Sequence, residues 1–231
     1  MKKQIAMLLC LLLCLGLAAC GQTEAPEDAT MVTVTIASAG ELAVCAQTVA
    51  VTDLDQDGVL TISDAIAVAH RAFYPGGADG YATEMTDYGL SMQKLWGVEN
   101  GGSYGYCVND ASAMSLVDPV KAGDHIKAYA YTDLTNFSDT YSYFNAPVAA
   151  AAVNTEITLT LSANGYDEAW NPVTLPVAGA TLTVNGEKTD VVTDETGNAV
   201  LTLAEAGIYT VSAVSETMTL VPPVCIVTVT E

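Results

Sequence analysis

Basic residues are scarce in this sequence. Of its 231 residues, seven are Lys or Arg and 27 are Asp or Glu, which gives a net charge of −20 at pH 7. A chain this acidic repels phosphate backbones, so its composition argues against nucleic-acid binding. The same charge attracts cations, Ca²⁺ among them. The low hydrophobicity typical of disordered chains is also missing, because 51% of the residues are hydrophobic. We therefore expect one or two folded domains.

Catalytic signatures are sparse as well. The sequence has no HExxH motif, and neither His70 nor His125 stands beside a Ser or Cys in a recognised nucleophile motif. We interpret both histidines as surface or partly hydrogen-bonded side chains. No pair of carboxylates is singled out for general acid and base chemistry. The sequence therefore predicts that the protein is not an enzyme.

The first twenty residues have the pattern of an export signal. Lys2 and Lys3 precede an apolar run, residues 5–17, that is too short for a typical membrane span. Residues 17–20, LAAC, resemble the lipobox of bacterial lipoproteins, in which the cysteine is lipidated and becomes the new N-terminus. The resemblance implies that a lipid on Cys20 holds the protein on the extracellular face of the bacterial cell membrane. The alternative is an ordinary secretory signal cleaved at about the same place.

Cysteines are few once the signal is set aside. Cys45, Cys107 and Cys225 remain, and an odd number excludes a complete disulfide framework. Cys45 and Cys107 fall in the same predicted domain and could pair, or all three could be small buried hydrophobic residues. No CxxC or Cys/His spacing indicates zinc.

Hydrophobic residues alternate with polar ones in several segments of the first 146 residues. Residues 21–30 are polar and predict a flexible tether, and the period of two then predicts strands at 31–36, 42–52 and 126–132. Only Ser63–Phe73 has a convincing helical pattern. We expect its apolar face to consist of Ile66, Ala67, Ala69, Ala72 and Phe73.

Residues 155–231 contain short alternating strands separated by turns. The strand candidates are 156–162, 180–184, 199–203, 208–214 and 224–230, with a hairpin-type turn at Asn185-Gly186. Five short strands at this spacing indicate a β-sandwich. We interpret the small apolar run at 147–154 as a linker between domains at 31–146 and 155–231. The predicted fold class is mainly β, with an α+β domain first and a sandwich second.

The most specific pattern is the acidic stretch 53–64, which reads DLDQDGVLTISD. Ca²⁺ takes six to eight oxygen ligands, and alternate residues of a tight loop can aim their side chains at one centre. Gly58 lies where such a loop turns sharply. The predicted ligands are three aspartate side chains, a backbone carbonyl, a threonine acting through water and a closing aspartate: Asp53, Asp55, Asp57, Val59, Thr61 and Asp64.

This spacing matches the EF-hand calcium loop, with Asp64 in place of the usual Glu at the twelfth position. Residues 58–73, GVLTISDAIAVAHRAF, resemble the calcium-binding repeat of dockerins, which commonly carry Asp there. A dockerin has two repeats and this chain has one. The resemblance implies Ca²⁺ as a cofactor, and we expect a permanent structural ion rather than a sensor. The alternative is an acidic surface turn that binds nothing.

A second resemblance covers about residues 31–146. Its motifs are glycines, an aromatic-x-aromatic strand and a Gly-Asp turn: Gly97, Gly101-Gly102, Tyr104, Tyr106, Val108-Asn109 and Gly123-Asp124. Together with the MVTVTI strand they resemble the C-terminal domain of transcobalamin and intrinsic factor. That family implies a β-grasp-like fold, a small sheet around one helix. Because the animal domain caps cobalamin, a corrinoid capture component working with a partner subunit is one alternative function.

Aromatic residues suggest a second kind of site in this domain. Trp96, Tyr104 and Tyr106 are candidates for an exposed platform that binds a ligand, or they pack within the fold. In the C-terminal domain, Val177–Ser212 resembles bacterial immunoglobulin-like surface domains, which are usually stalks or adhesion modules. The predicted function is therefore a membrane-anchored, extracellular, calcium-binding lipoprotein that acts as a ligand-binding or adhesion module. A structural spacer without a small-molecule site is the remaining alternative.

Overall fold

The computed structural model describes residues 29–231. The predicted signal, Cys20 and nearly all of the predicted tether lie outside these residues. The described chain is mainly β, with one α-helix, as predicted. None of its helices has the length and apolarity needed to cross a membrane.

The first half is built on one five-stranded sheet. Its strands are β1 (Thr30–Ser38), β2 (Glu41–Val51), β5 (Tyr104–Val108), β6 (Ala111–Ser112) and β7 (His125–Ala130). They lie in the order β2-β1-β7-β5-β6, and β1 runs parallel to β7 at the centre. A helix, α1 (Ile62–Phe73), and a hairpin of β3 (Ala82–Thr86) and β4 (Gly89–Lys94) complete this half. Because the first and last main strands pair in parallel and the helix packs with the sheet in one core, this half is β-grasp-like, as predicted.

The helix presents a different face to the sheet than the sequence indicated. Ile62, Ala65, Ile66 and Ala69 are buried, but Ala72 and Phe73 are exposed and Ala67 is only half-buried. The buried face of the helix includes His70, which is fully buried. The prediction was wrong here because it counted only apolar residues. Burial lowers the pKa of His70, both ring nitrogens have hydrogen-bond partners, and the ring packs in the core like an apolar side chain.

The second half is a sandwich of two sheets. Its strands are β8 (Thr140–Phe144), β9 (Val148–Ala152), β10 (Glu156–Tyr166), β11 (Pro172–Pro176), β12 (Thr181–Val184), β13 (Glu187–Val192), β14 (Asn198–Thr202), β15 (Gly207–Val214), β16 (Leu220–Val221) and β17 (Cys225–Thr230). One sheet has the order β11-β10-β8-β16, with β14 also on β10, and the other has the order β13-β12-β15-β17-β9. Their inner faces bury one core that includes Leu161, Leu182 and Val227.

The segment predicted as a linker, 147–154, is in fact mostly strand. It contains β9, which pairs in parallel with β17 along Val148–Ala152. The upstream strand β8, which we had assigned to the first domain, pairs with β10 and β16 of the sandwich. The sequence concealed β9 because four consecutive alanines show no alternation of apolar and polar residues.

Candidate functional site

The acidic loop joins the end of β2 to the start of α1. Asp53, Asp55 and Asp57 each offer a carboxylate oxygen, and these three oxygens lie within 4.8 Å of one another. The strand before the loop and the helix after it both belong to the buried core, so the two ends of the loop are fixed. The structure therefore brings together the three aspartates that the spacing predicted.

Backbone N–H groups hold Asp53 in place. One of its oxygens accepts from Gln56 at 2.7 Å, and the other accepts from Gly58 at 2.8 Å. Hydrogen bonds from the backbone, that of Gly58 foremost, lower the pKa of the Asp53 carboxyl. Gly58 has a φ of +89°, a conformation that strains any residue with a Cβ. The glycine is thus required by the turn that folds the loop around Asp53.

Asp55 and Asp57 are both exposed and lie close together. Loss of hydration, followed by the charge of Asp57, raises the pKa of the Asp55 carboxyl. The pKa values of Asp53 and Asp55 shift in opposite directions because backbone donors stabilise the charge of Asp53, while loss of hydration and then the neighbouring Asp57 destabilise that of Asp55. A cation between these oxygens would relieve that repulsion.

Asp64, the predicted closing ligand, is not part of this cluster of carboxylates. Asp64 is buried, and its carboxylate accepts from Leu54 N at 3.1 Å, from Thr61 N at 3.0 Å and from Thr61 Oγ1 at 2.7 Å. Thr61 is the N-cap of α1 and forms a capping box with Asp64. Val59 is exposed, and its N–H donates to Asp57. In this conformation, Asp64 and Thr61 fasten the loop to the helix.

The aromatic residues do not form one platform. Trp96 is half-buried and packs against His70 and Tyr74, with ring centroids 5.4 Å and 5.0 Å away. Its backbone N–H donates to His70 Nε2 at 2.9 Å, while His70 Nδ1 lies 2.8 Å from the Ile66 carbonyl oxygen. Trp96 therefore closes the helix side of the core and is separate from the two tyrosines.

Tyr104 and Tyr106 line a different feature, a cleft of about 570 Å³ between the β3–β4 hairpin and β5. Tyr88 and Met114, which sequence reasoning missed, lie on the same cleft and are almost fully exposed. The Tyr104 hydroxyl lies 2.8 Å from the carbonyl oxygens of both Gln93 and Val98, so it also fixes the local loop. Tyr88 and Met114 are recognised as cleft residues only from their exposure and position in the folded structure, which the sequence does not show.

Residues 101–105, GGSYG, formally match the G-x-S-x-G pattern of hydrolases. That motif places its serine on a sharp turn from a strand into a helix. Here Ser103 directly precedes the strand β5, and its backbone N–H and carbonyl both bond to the side chain of Asn100. The structural context is therefore that of a loop closed by an asparagine, and not that of a nucleophile elbow.

The three cysteines of the described chain are free thiols. Cys107 and Cys225 are buried and Cys45 is half-buried. The pairing of Cys45 with Cys107 that the sequence left open is not formed, and burial raises the pKa of the Cys107 thiol to about 11.

Comparison with known proteins adds little to this geometry. No protein-family model matches the chain, and no curated protein is similar to it. One similar solved structure is that of the N-terminal four immunoglobulin domains of Dscam1 isoform 9.44. It is 7% identical, with a TM-score of 0.23, and the match covers 88% of this chain and 46% of that one. This chain therefore spans less than half of that structure, and a likeness this weak supports no statement about function.

Proposed function

We propose that the protein is a calcium-binding surface lipoprotein that works as a ligand-binding or adhesion module. The single observation that carries the calcium part is the convergence of Asp53, Asp55 and Asp57, with their oxygens within 4.8 Å of one another. Hard cations such as Ca²⁺ bind clustered carboxylate oxygens and complete their shell with carbonyls and water. The net charge of −20 further raises the local concentration of cations.

The ion would act as a structural staple for the β2–α1 connection. Without a cation, three neighbouring carboxylates repel one another. The pKa of Asp55 is raised chiefly by loss of hydration and, after that, by the charge of Asp57. A ligand that binds only the folded state stabilises it by mass action. Asp64 contributes by tying Leu54 in the loop to the first turn of the helix. Calcium binding would therefore lock the only α-helix of the described residues onto its sheet.

The test compares Asp55→Asn and Asp57→Asn with the wild type in Ca²⁺ and in chelator. We expect Ca²⁺ to raise the thermal midpoint of the wild type and to do so far less in either variant. In chelator both variants should be at least as stable as the wild type, because asparagine removes the repulsion and keeps the shape. Calorimetric titration with Ca²⁺ measures the binding directly.

Asp190→Asn is the matched control, because Asp190 is an exposed acid on β13, outside the acidic cluster. This variant should bind Ca²⁺ like the wild type. Equal responses to Ca²⁺ in all four proteins would exclude the loop as the site.

The binding part of the proposal is supported by the cleft between β5 and the β3–β4 hairpin. An aromatic wall with exposed apolar side chains is typical of a small-molecule or glycan site and is not expected of a plain spacer. Titration with cobalamin, followed by absorbance, tests the corrinoid alternative at the same cleft. A spectral change that Tyr88→Ala abolishes would assign the cleft to a corrinoid.

A further inference from the structure

Strand β9 forms an open edge of the second sandwich sheet. It pairs with β17 alone, in parallel, and it is the last strand in the order β13-β12-β15-β17-β9. The Ile226 N–H donates to the Pro147 carbonyl, and the Val153 N–H donates to the Thr230 carbonyl. Because alternate residues of a parallel strand bond to the same neighbour, the backbone N–H and carbonyl groups of Ala149 and Ala151 also point toward β17.

The alternate residues of β9 consequently direct their backbone groups away from the sheet. These residues are Val148, Ala150 and Ala152, and all three are exposed, Val148 at 65%. The side chains of Ala149 and Ala151 pack on the sandwich core instead. Among these outward groups, the Ala152 carbonyl accepts from Thr155 N at 3.2 Å. The remaining main-chain donors and acceptors of the outer edge are a template for another strand.

Most other outer strands carry features that hinder strand addition. Edge strand β13 contains Glu187, Lys188 and Asp190, and β11 has proline at both ends. Strand β2 is distorted by register shifts in its pairing with β1. Strands β6 and β16 have two residues each, and the β3–β4 hairpin carries Glu84 and Lys94. These are the usual protections of sheet edges.

Strand β9 lacks all of these protections. It lies in a stretch without charged residues from 140 to 155, and its partner β17 lies in another from 217 to 230. Strand β14 also lacks these protections, but the uncharged stretch that contains it is shorter, because it lies between Glu195 and Glu205. In a chain with a net charge of −20, two copies repel each other less at an uncharged edge than at an acidic one.

We propose that β9 pairs with β9 of a second copy of this chain, antiparallel, in a two-fold symmetric dimer. With the axis at Ala150, Ala150 faces its own counterpart and Val148 faces Ala152 of the other copy. In this register the two copies of Ala150 exchange both of their hydrogen bonds, and the Ala152 N–H reaches the Val148 carbonyl of the other copy. The Ala152 carbonyl, which already accepts from Thr155 N, takes the Val148 N–H on its second lone pair. The pairing joins two five-stranded sheets into one, and the symmetry closes the assembly. It does not depend on calcium or on the proposed ligand cleft.

Cysteine substitution in the full-length chain tests the register. Opposed Cα atoms in such a pair lie about 5.5 Å apart, which suits a disulfide. Ala150→Cys should form a linked dimer under mild oxidation. Ala152→Cys is the matched control, because the two copies of that residue would be about 13 Å apart along the strands. Mixing Ala152→Cys with Val148→Cys should restore the link. The wild type, oxidised in parallel, shows how much linkage Cys45 produces by itself.

Linkage that is equal at positions 150 and 152, or absent at 150, would overturn the proposal. Sedimentation of the full-length chain in density-matched detergent provides an independent readout. Ala150→Pro removes an outward N–H and no bond to β17, so it should weaken the dimer about tenfold or more while Ala150→Ser does not. Circular dichroism checks that both variants fold. A wild type that stays monomeric at hundreds of micromolar, or that binds extended peptides without self-association, contradicts the dimer.

Discussion

Lys127 shows most clearly how the fold acts on a single residue. It lies on β7 between the two halves and is only 3% exposed. Its Nζ donates to the Ser142 carbonyl oxygen at 2.9 Å and lies 4.6 Å from the centre of the Tyr141 ring. Burial lowers the pKa of this amine to about 8, and the nearby Asp110 opposes the shift only in part. An ammonium group has three donors, so one carbonyl and one ring satisfy it poorly.

We predict that Lys127→Met stabilises the protein at pH 7 by about 1–3 kcal/mol, because it removes a buried charge at similar volume. The unfolded lysine keeps its proton up to about pH 10.5, while the folded one releases it near pH 8. Between these values the unfolded state binds more protons, so this residue's penalty shrinks as the pH rises. The advantage of the variant should therefore be smaller at pH 10.

Urea denaturation of both proteins at pH 7 and pH 10 measures this difference. Cys107 and Tyr141 pack beside Lys127, and burial raises the pKa of both, that of Cys107 to about 11. Both groups therefore stay mainly protonated in the folded state at pH 10, and their contributions largely cancel between the two proteins. A variant that is less stable by the same amount at both pH values would mean that the amine contributes favourably through packing and its hydrogen bond.

At the scale of one element, α1 depends on its first turn. Thr61 caps the helix, and its hydroxyl donates to Asp64 while accepting from the Asp64 N–H. The same carboxylate accepts the Leu54 N–H, so one buried aspartate links the helix to the acidic loop. The first turn of the helix and the acidic loop therefore share one network of hydrogen bonds.

We predict that Thr61→Ala lowers the free energy of unfolding by about 1–2 kcal/mol, because it removes the N-cap and one partner of the buried Asp64. Chemical denaturation in chelator measures the loss without any contribution from a bound ion. Thr61→Ser keeps the hydroxyl and should restore most of the stability. If serine were as damaging as alanine, the threonine methyl and its packing would be the cause.

The whole molecule is strongly acidic, and this bears on how it would stay at a membrane. The bilayer surface of a bacterium is commonly anionic, so electrostatics would repel a chain with a net charge of −20. The attachment that we propose is the lipid on Cys20, because buried acyl chains bind the bilayer through the hydrophobic effect and not through charge.

We predict that Cys20→Ser moves the full-length protein from the membrane fraction to the soluble fraction, because acyl chains are the proposed source of binding. Fractionation followed by immunoblotting measures the distribution, and Cys45→Ser is the matched control. High salt should release neither the wild type nor the control. Release of the wild type by salt, or retention of Cys20→Ser, would argue against a lipid anchor.

Local patterns alone predicted the long alternating strands, the helix, the turn at Asn185-Gly186 and the spacing of the three loop aspartates. These features depend on neighbours in sequence: a period of two or 3.6, or a glycine at a turn. The short strands were harder. Strands β6 and β16 have only two residues, and the alanines of β9 show no period, so nothing local marks them as strands.

The tertiary structure alone decided the roles of residues whose partners are distant in the sequence. His70 became a core residue because the Ile66 carbonyl and the Trp96 N–H satisfy both ring nitrogens. Asp64 forms a capping box with Thr61 and is not in the acidic cluster. Tyr88, on the β3–β4 hairpin, lines one cleft with Tyr104 and Tyr106. Sequence spacing by itself established which carboxylates could meet in one loop. Burial and hydrogen bonding between distant segments determined which polar side chains stay available, because a buried polar group must find its partners wherever the fold places them.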